Sequence, residues 1–393
     1  MRRCLIWVRV ASLIVPLVVA CAPASPAPEK PAAAKPAETK QEVAKPAESK
    51  PPAAKPAESK PEKSEAAKPA EKPATKPALA VVKVGALPLH AVAGVFIGQE
   101  KGYFAEQGIQ MEFQDMATTT DQYAPLATGE IAVASIAIGA GLVNAVARGI
   151  PLKIAIGGHT VFAGKPTATS VVIRKALLDS GQIKSPADFK GRTIALESRG
   201  IGPEIWFVRL LQQGGLKYPD DVNVTTIPMP DMIAAYANGA IDLSSLSEPF
   251  VARGIDQGAL ARYKEPFELY PTHQITGIVF SANFANNQTD LAKRFTVGYL
   301  KGVRDYLDAF SKGKDKEAII QALMRYTTVK ERALYDKIVP VTLAPNGEIR
   351  PEDIDFQQTW FLQSGVIKET IPASRLIDTQ FVKYAVEKLG EYK

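Results

Sequence analysis

The chain has 393 residues, with 47 Lys and Arg against 41 Asp and Glu and a formal net charge of +6. Its two cysteines, Cys4 and Cys21, both fall near the N-terminus, which excludes a disulfide framework or a cysteine-based metal site in the rest of the chain. Much of the lysine lies in one low-complexity stretch, interleaved with Glu and without aromatic residues, so the basic balance does not point to nucleic acid.

The chain opens MRRCLIWVRVASLIVPLVVAC. Arg2 and Arg3 precede an apolar run to Ala20 that is short and poorly flanked for a membrane span and fits a secretory signal. Val18, Val19, Ala20 and Cys21 match a bacterial lipobox, so residues 1–20 are expected to be removed and Cys21 to carry lipid. Residues 21–79 then read as a disordered linker. KPAE recurs at Lys35, Lys45, Lys55 and Lys68, and too few apolar side chains are present to offset the entropy of ordering. Proline biases such a segment toward extended polyproline II, about 3.1 Å per residue. A lipid and a long tether imply a domain held at the cell membrane on its outer side.

From residue 80 onward the pattern alternates strand and helix. Residues 81–87 read as a strand, 92–108 as one helix ended by Gly108, and IQMEFQDM as a second strand. TTTDQYAPLATGE reads as a helix opened by a threonine cap and closed by Gly129. IAVASIAIG, a helix, and LKIAIGG follow. A second block begins near Ser185 with a capped short helix and the strand TIAL. Next come a helix from Ile205, the strand VNVTTIPM, a helix from Pro230 to Gly239, the strand AIDLSSL and a helix in SEPFVARGIDQG. THQITGIVFSAN, residues 272–283, reads as a strand returning to the first block. The remainder is mostly helical, with one long amphipathic helix in TDLAKRFTVGYLKGVRDYLDAFSKG and others in KERALYDKIV and PEDIDFQQTWFLQSG. This is the rhythm of an α/β fold with mostly parallel sheet, in which ligands sit beyond the carboxyl ends of strands.

Four segments carry a family resemblance: HAVAGVFIGQEKGYFAEQGIQMEF, LATGEIAVASIAIGAGLVNAVARGIPLKIA, SPADFKGRTIALESRGIGPEIWFVRLLQQGGL and AYANGAIDLSSLSEPFVARG. In order and spacing, over nearly all of 80–312, the series resembles the nitrate/sulfonate/taurine family of ABC-transporter substrate-binding proteins. That family also includes binders of thiamine-pyrimidine precursors and riboflavin. The resemblance implies a two-lobed periplasmic-binding-protein type II fold with two crossover strands. Lobe 1 is expected over 80–174 and 272–393 and lobe 2 over 175–271, with a small molecule closed between them. It further implies a monomer that delivers its ligand to a permease and ATPase, without a cofactor and without chemistry of its own. The alternatives are a pyrimidine-synthesising enzyme on the same fold, whose cysteine-rich motif is missing here, and a ligand sensor for a membrane receptor.

Strand ends and family position give the candidate ligand contacts. They are Leu89 and His90 after the first strand, Ser135 and Ile136 in the third, and His159 and Thr160 after the fourth. The turn supplies Ser198, Arg199, Gly200 and Ile201, followed by Trp206. Glu248 in SEPF and His273 and Thr276 on the return complete the set. Arg199 suits a bidentate grip on an anion, Trp206 suits stacking on a flat ligand, and free N–H groups of the turn suit a ligand acceptor. The turn is neither a P-loop nor a dinucleotide fingerprint, because no Lys follows Gly202 at the required spacing and Ile205 stands where the third glycine belongs. Pro203 removes one donor, which counts against sulfonate or nitrate and leaves a carboxylate or a neutral heterocycle. The three histidines lack metal-ligand spacing, so no metal is expected.

Overall fold

The computed structural model describes residues 78–393; the expected signal, Cys21 and nearly all of the linker lie outside them. Strand–helix alternation builds two five-stranded sheets. The first receives β1 (Ala80–Ala86), β2 (Ile109–Asp115), β3 (Val133–Ala137) and β4 (Lys153–Gly157), after which β5 (Thr160–Val161) leaves it. The second receives β6 (Thr169–Arg174), β7 (Thr193–Leu196), β8 (Asn223–Thr226), β9 (Leu243–Ser247) and β10 (Leu260–Lys264). The chain then returns through β11 (His273–Gln274) into β12 (Thr276–Phe280), which completes the first sheet. The strand orders are β2-β1-β3-β12-β4 and β10-β6-β9-β7-β8. In each sheet three neighbouring strands are parallel, and β12 or β6 runs against them.

The two passages between the sheets pair with each other. β5 and β11 are antiparallel, with Thr160 opposite Gln274 and Val161 opposite His273. These are the two crossover strands. The expected lobe boundary after residue 174 needs correction: β6 is hydrogen-bonded between β9 and β10, so residues 169–174 belong with the second sheet. TSVVIR is apolar enough for either sheet, and only its pairing decides. The single expected strand over 272–283 is likewise divided at Ile275, between the crossover and the sheet.

Local chemistry explains the other elements. Gly102, at φ 74°, breaks the expected helix of 92–108 into Ala93–Glu100 and Tyr103–Glu106. Thr118 and Asp121 form a capping box on the helix Thr119–Thr128, which Gly129 closes in the left-handed region. The long helix Thr289–Lys312 is continuous and buries Phe295, Tyr299, Val303 and Tyr306 along one stripe. It lies so close to Ala93–Glu100 that a Cβ on Gly302 would stand 2.2 Å from the Gly94 carbonyl oxygen. KERALYDKIV forms only the short 3-10 turn Arg332–Asp336, and the helix Gln380–Leu389 was not anticipated.

Five carboxyl side chains are buried among the described residues: Glu197, Glu204, Asp242, Glu248 and Asp353. Four of them hold an arginine. Arg199 meets Glu204 at 2.8 Å, Arg174 meets Asp242 at 2.5 Å, Arg262 meets Glu248 at 2.6 Å, and Arg350 meets Asp353 at 2.8 Å. Glu197 has no such partner.

Two stability predictions follow from this packing. Gly302→Val forces the two helices apart and is expected to cost about 3 kcal/mol, the upper range for overpacking, read as a lowered denaturation midpoint. Arg262→Met strands the Glu248 carboxylate and is expected to cost about 3 kcal/mol; adding Glu248→Gln should recover most of it in the same measurement.

Candidate functional site

A narrow cavity of about 40 Å³ lies between the lobes at the carboxyl ends of the parallel strands. Lobe 1 contributes Leu87 and Leu89 after β1, Thr119 at the start of its helix, and Ser135 and Ala137 of β3. Two residues apart on one strand, Ser135 and Ala137 share a face. Lobe 2 contributes Thr169 of β6, Glu197 just past β7, Ile201 and Pro203 from the turn, and Met229. Ser245 and Ser247 of β9 complete that wall, and the crossovers add His159, Ile275 and Thr276.

The lobes meet across this cavity through backbone. Gly139 and Ile201 form an antiparallel bridge, with the Ala140 N–H donating to the Gly200 oxygen at 2.7 Å and the Gly202 N–H to the Ile138 oxygen at 3.1 Å. A Cβ on Gly139 would stand 2.6 Å from that Gly200 oxygen, so glycine is required for the approach. Beside the bridge, the first two amides of the helix Thr119–Thr128 are capped from the opposite lobe. Thr119 N–H donates to the Glu197 carboxylate and Thr120 N–H to Ser198 Oγ at 3.3 Å.

The cavity's polar groups are neutral or acidic. Burial, with His273 nearby, pushes His159 down to about 3, so its ring is neutral. Its Nε2 bonds to Thr167 Oγ1 at 2.5 Å. Burial pushes the Glu197 carboxyl up to about 7, against the Thr119 amide that favours its charged form. Ser245 Oγ is buried without a hydrogen-bond partner. Neither Lys nor Arg lines the cavity, and neither does a Phe, Tyr or Trp.

Five of the sequence candidates line this space: Leu89, Ser135, His159, Ile201 and Thr276. The others lie outside it, each for a local reason. His90 is fully buried and stacks on Tyr335 with ring centroids 5.4 Å apart. Ile136 alternates to the opposite face of β3 from Ser135 and joins the core. The Thr160 amide is engaged with the Thr342 oxygen at 3.0 Å, and Ser198 turns to Thr120. Arg199 sets its Nε against Glu204 at 2.8 Å and does not line the cavity. Two of the turn amides are engaged: the other Glu204 oxygen accepts from Gly200 N–H at 2.6 Å, and Gly202 N–H reaches across to Ile138. Trp206 is fully buried and donates from Nε1 to His273 Nδ1 at 2.9 Å, which ties both to the lobe 2 core rather than to a ligand. Glu248 is held by Arg262 and by the amides of Ala252 and Val339 at 2.9 and 3.2 Å, while burial still raises its pKa.

The most consequential residues that sequence reasoning missed are Glu197, Thr119, Ser245 and Ser247. A signal existed for two of them: LSSLS sets serines at alternate positions of an otherwise buried central strand. Glu197 stands one residue before the expected Ser198.

Known proteins place this architecture. A putative aliphatic sulfonates-binding protein of Escherichia coli is 28% identical over 122 residues, which cover 30% of this chain and 36% of that protein. The nitrate/nitrite binding protein NrtA of Synechocystis is 20% identical over 325 residues, covering 76% of this chain and 69% of that one. The first match thus spans little more than a third of its relative's length. The crystal structure of the periplasmic nitrate-binding protein NrtA from Synechocystis superposes with a TM-score of 0.65 at 15% identity, over 79% of this chain and 89% of that chain. The fold is therefore that of periplasmic binding proteins. The model of the NMT1-like family matches residues 75–323, nearly two thirds of the sequence, and the chain belongs to that family.

Proposed function

We propose that this protein is the extracytoplasmic solute-binding component of an ABC importer. It is tethered through lipid at Cys21, closes its two lobes on a small organic solute, and presents it to a membrane permease and its ATPase. The observation that carries this reading is the cavity itself, built from both lobes and both crossovers. A ligand that touches both walls gains contacts only when the lobes close, so it favours the closed state by that difference in affinity. The sulfonate- and nitrate-binding descriptions of the relatives support the transport role.

The solute class departs from those relatives. A small inorganic anion needs a cation or free amides, and here no Lys or Arg faces the cavity and Glu204 occupies the Gly200 amide. Aliphatic walls from Leu87, Leu89, Ile201 and Met229, with hydroxyls between them, suit a compact solute with an apolar body and hydrogen-bonding groups. A pyrimidine-type heterocycle fits this description, gripped by aliphatic surfaces rather than stacked on Trp206.

The test is the melting midpoint of the full chain against nitrate, alkanesulfonates, carboxylates, aminopyrimidines and small amides, since a ligand specific to the folded state raises it. Organic solutes without negative charge are expected to shift it. A shift confined to nitrate or alkanesulfonates would sink the solute class. Gly139→Ala, which blocks the bridge between the lobes, is expected to weaken any such ligand about tenfold or more, whereas Arg199→Ala leaves affinity unchanged. Equal affinities for wild type and Gly139→Ala would show that closure does not contribute.

A further inference from the structure

Among the described residues, the one buried carboxyl without an arginine is also the one that lines the cavity. Glu204, Asp242, Glu248 and Asp353 each carry their counter-charge on a neighbouring guanidinium. Glu197 is 2% exposed, has no Lys or Arg within ion-pair distance among the described residues, and faces the empty space. A buried carboxylate in that condition is costly unless something supplies the missing charge. On the neighbouring strand of the same wall, Ser245 Oγ is buried and lacks a partner. An arginine-free carboxylate and an unpartnered hydroxyl on adjacent strands give one wall of the cavity a polar patch for whatever fills it.

We propose that the ligand carries a cationic nitrogen, an ammonium, amidinium or protonated heterocycle, which pairs with the Glu197 carboxylate and completes this fifth ion pair. The inference rests on the solute-binding role proposed above and specifies its substrate class. The Thr119 amide and hydroxyl already hold one side of the carboxylate, so its orientation toward the cavity is fixed before the ligand arrives. His159 across the cavity is neutral and does not compete for the carboxylate. The remaining titratable groups facing Glu197 from the opposite helix are Asp121, whose charge opposes ionisation, and Tyr123, which is buried and protonated. No group of the protein therefore takes the place reserved for the cation. Ser245 Oγ, on the adjacent strand, then accepts or donates beside the same pole of the solute.

The pH dependence has a definite sign. Without ligand, the raised Glu197 value means that the folded chain loses stability as pH rises from the ordinary 4.5 through about 7. With a cationic ligand the pairing is complete above pH 7 and is lost as pH falls and the carboxyl takes a proton.

Acetamidinium, acetamide and acetate share one planar skeleton and differ in charge, so they are the probes. Melting midpoints of the full chain are measured with each at pH 8 and pH 6, for wild type, Glu197→Gln and Ser245→Ala. Acetamidinium is expected to raise the midpoint most at pH 8. Its apparent affinity should drop about tenfold by pH 6, following the ionised fraction of a group titrating near 7. In Glu197→Gln that response is lost while the ligand-free midpoint at pH 8 equals or exceeds the wild-type value; Ser245→Ala keeps the preference for the cation. No shift with acetamidinium, an equal or larger shift with acetate or acetamide, or a response that grows in acid would overturn the proposal. So would a Glu197→Gln chain that melts lower than wild type at pH 8, which would assign the carboxylate to holding Thr119. A solute from the earlier panel that binds wild type and Glu197→Gln equally overturns this proposal and leaves the solute-binding reading intact; failure of every solute strikes that reading instead.

Discussion

The antiparallel pairing of β5 with β11 is the constraint on which the rest depends. Among the described residues these two short strands form the one sheet outside the two main sheets, and a continuous apolar cluster from Val84 and Phe280 of lobe 1 to Val172, Met232 and Phe250 of lobe 2 joins the lobes beside them. Everything at the cleft follows from that tether. The carboxyl ends of β1 and β3 face those of β7 and β9, the turn after β7 arrives opposite Gly139, and backbone meets backbone where a single added carbon would prevent it. The glycines along Thr289–Lys312 and its partner helix likewise permit an approach of backbone to backbone, here within lobe 1.

Buried charge divides the molecule into framework and site. In the framework each carboxylate is satisfied twice, by an arginine and by backbone amides: Asp242 takes Arg174 and the Thr193 amide, and Asp353 takes Arg350 and the Gln274 amide. Such groups fix the ends of strands and helices in one arrangement. In the cavity the amide is present and the arginine is not.

The fold was largely legible in the sequence because it rests on local signals. Alternation of apolar strands with capped helices survived into both sheets, and Gly129, Gly239 and Gly313 end helices where small residues with positive φ are needed. β6 and β10 escaped because an apolar or mixed-charge segment such as LARYK declares nothing until a neighbour pairs with it. The site was legible to the level of strand ends and no further. Ser135, His159 and Thr276 are where a strand-end argument puts them. Arg199, Trp206 and His273 chose partners distant from the ligand space, and a one-dimensional pattern does not contain that choice: Glu204 is five residues from Arg199, but His273 is 67 from Trp206. Glu197 and Ser198 show how little separates a wall from a scaffold, since adjacent residues at a strand's end point to different neighbours.

Glu204 has a consequence of another kind. By setting its carboxylate against the Gly200 amide, the chain installs an anion of its own at the turn where dissolved anions would otherwise settle. The seat is taken permanently, by a group that does not dissociate and is present at unit stoichiometry. A dissolved anion that approaches Gly200 meets a carboxylate of the chain's own, and its exclusion from that amide needs no clash or gate. Exclusion of this sort does not weaken as salt becomes more concentrated, because the competitor is covalently part of the chain.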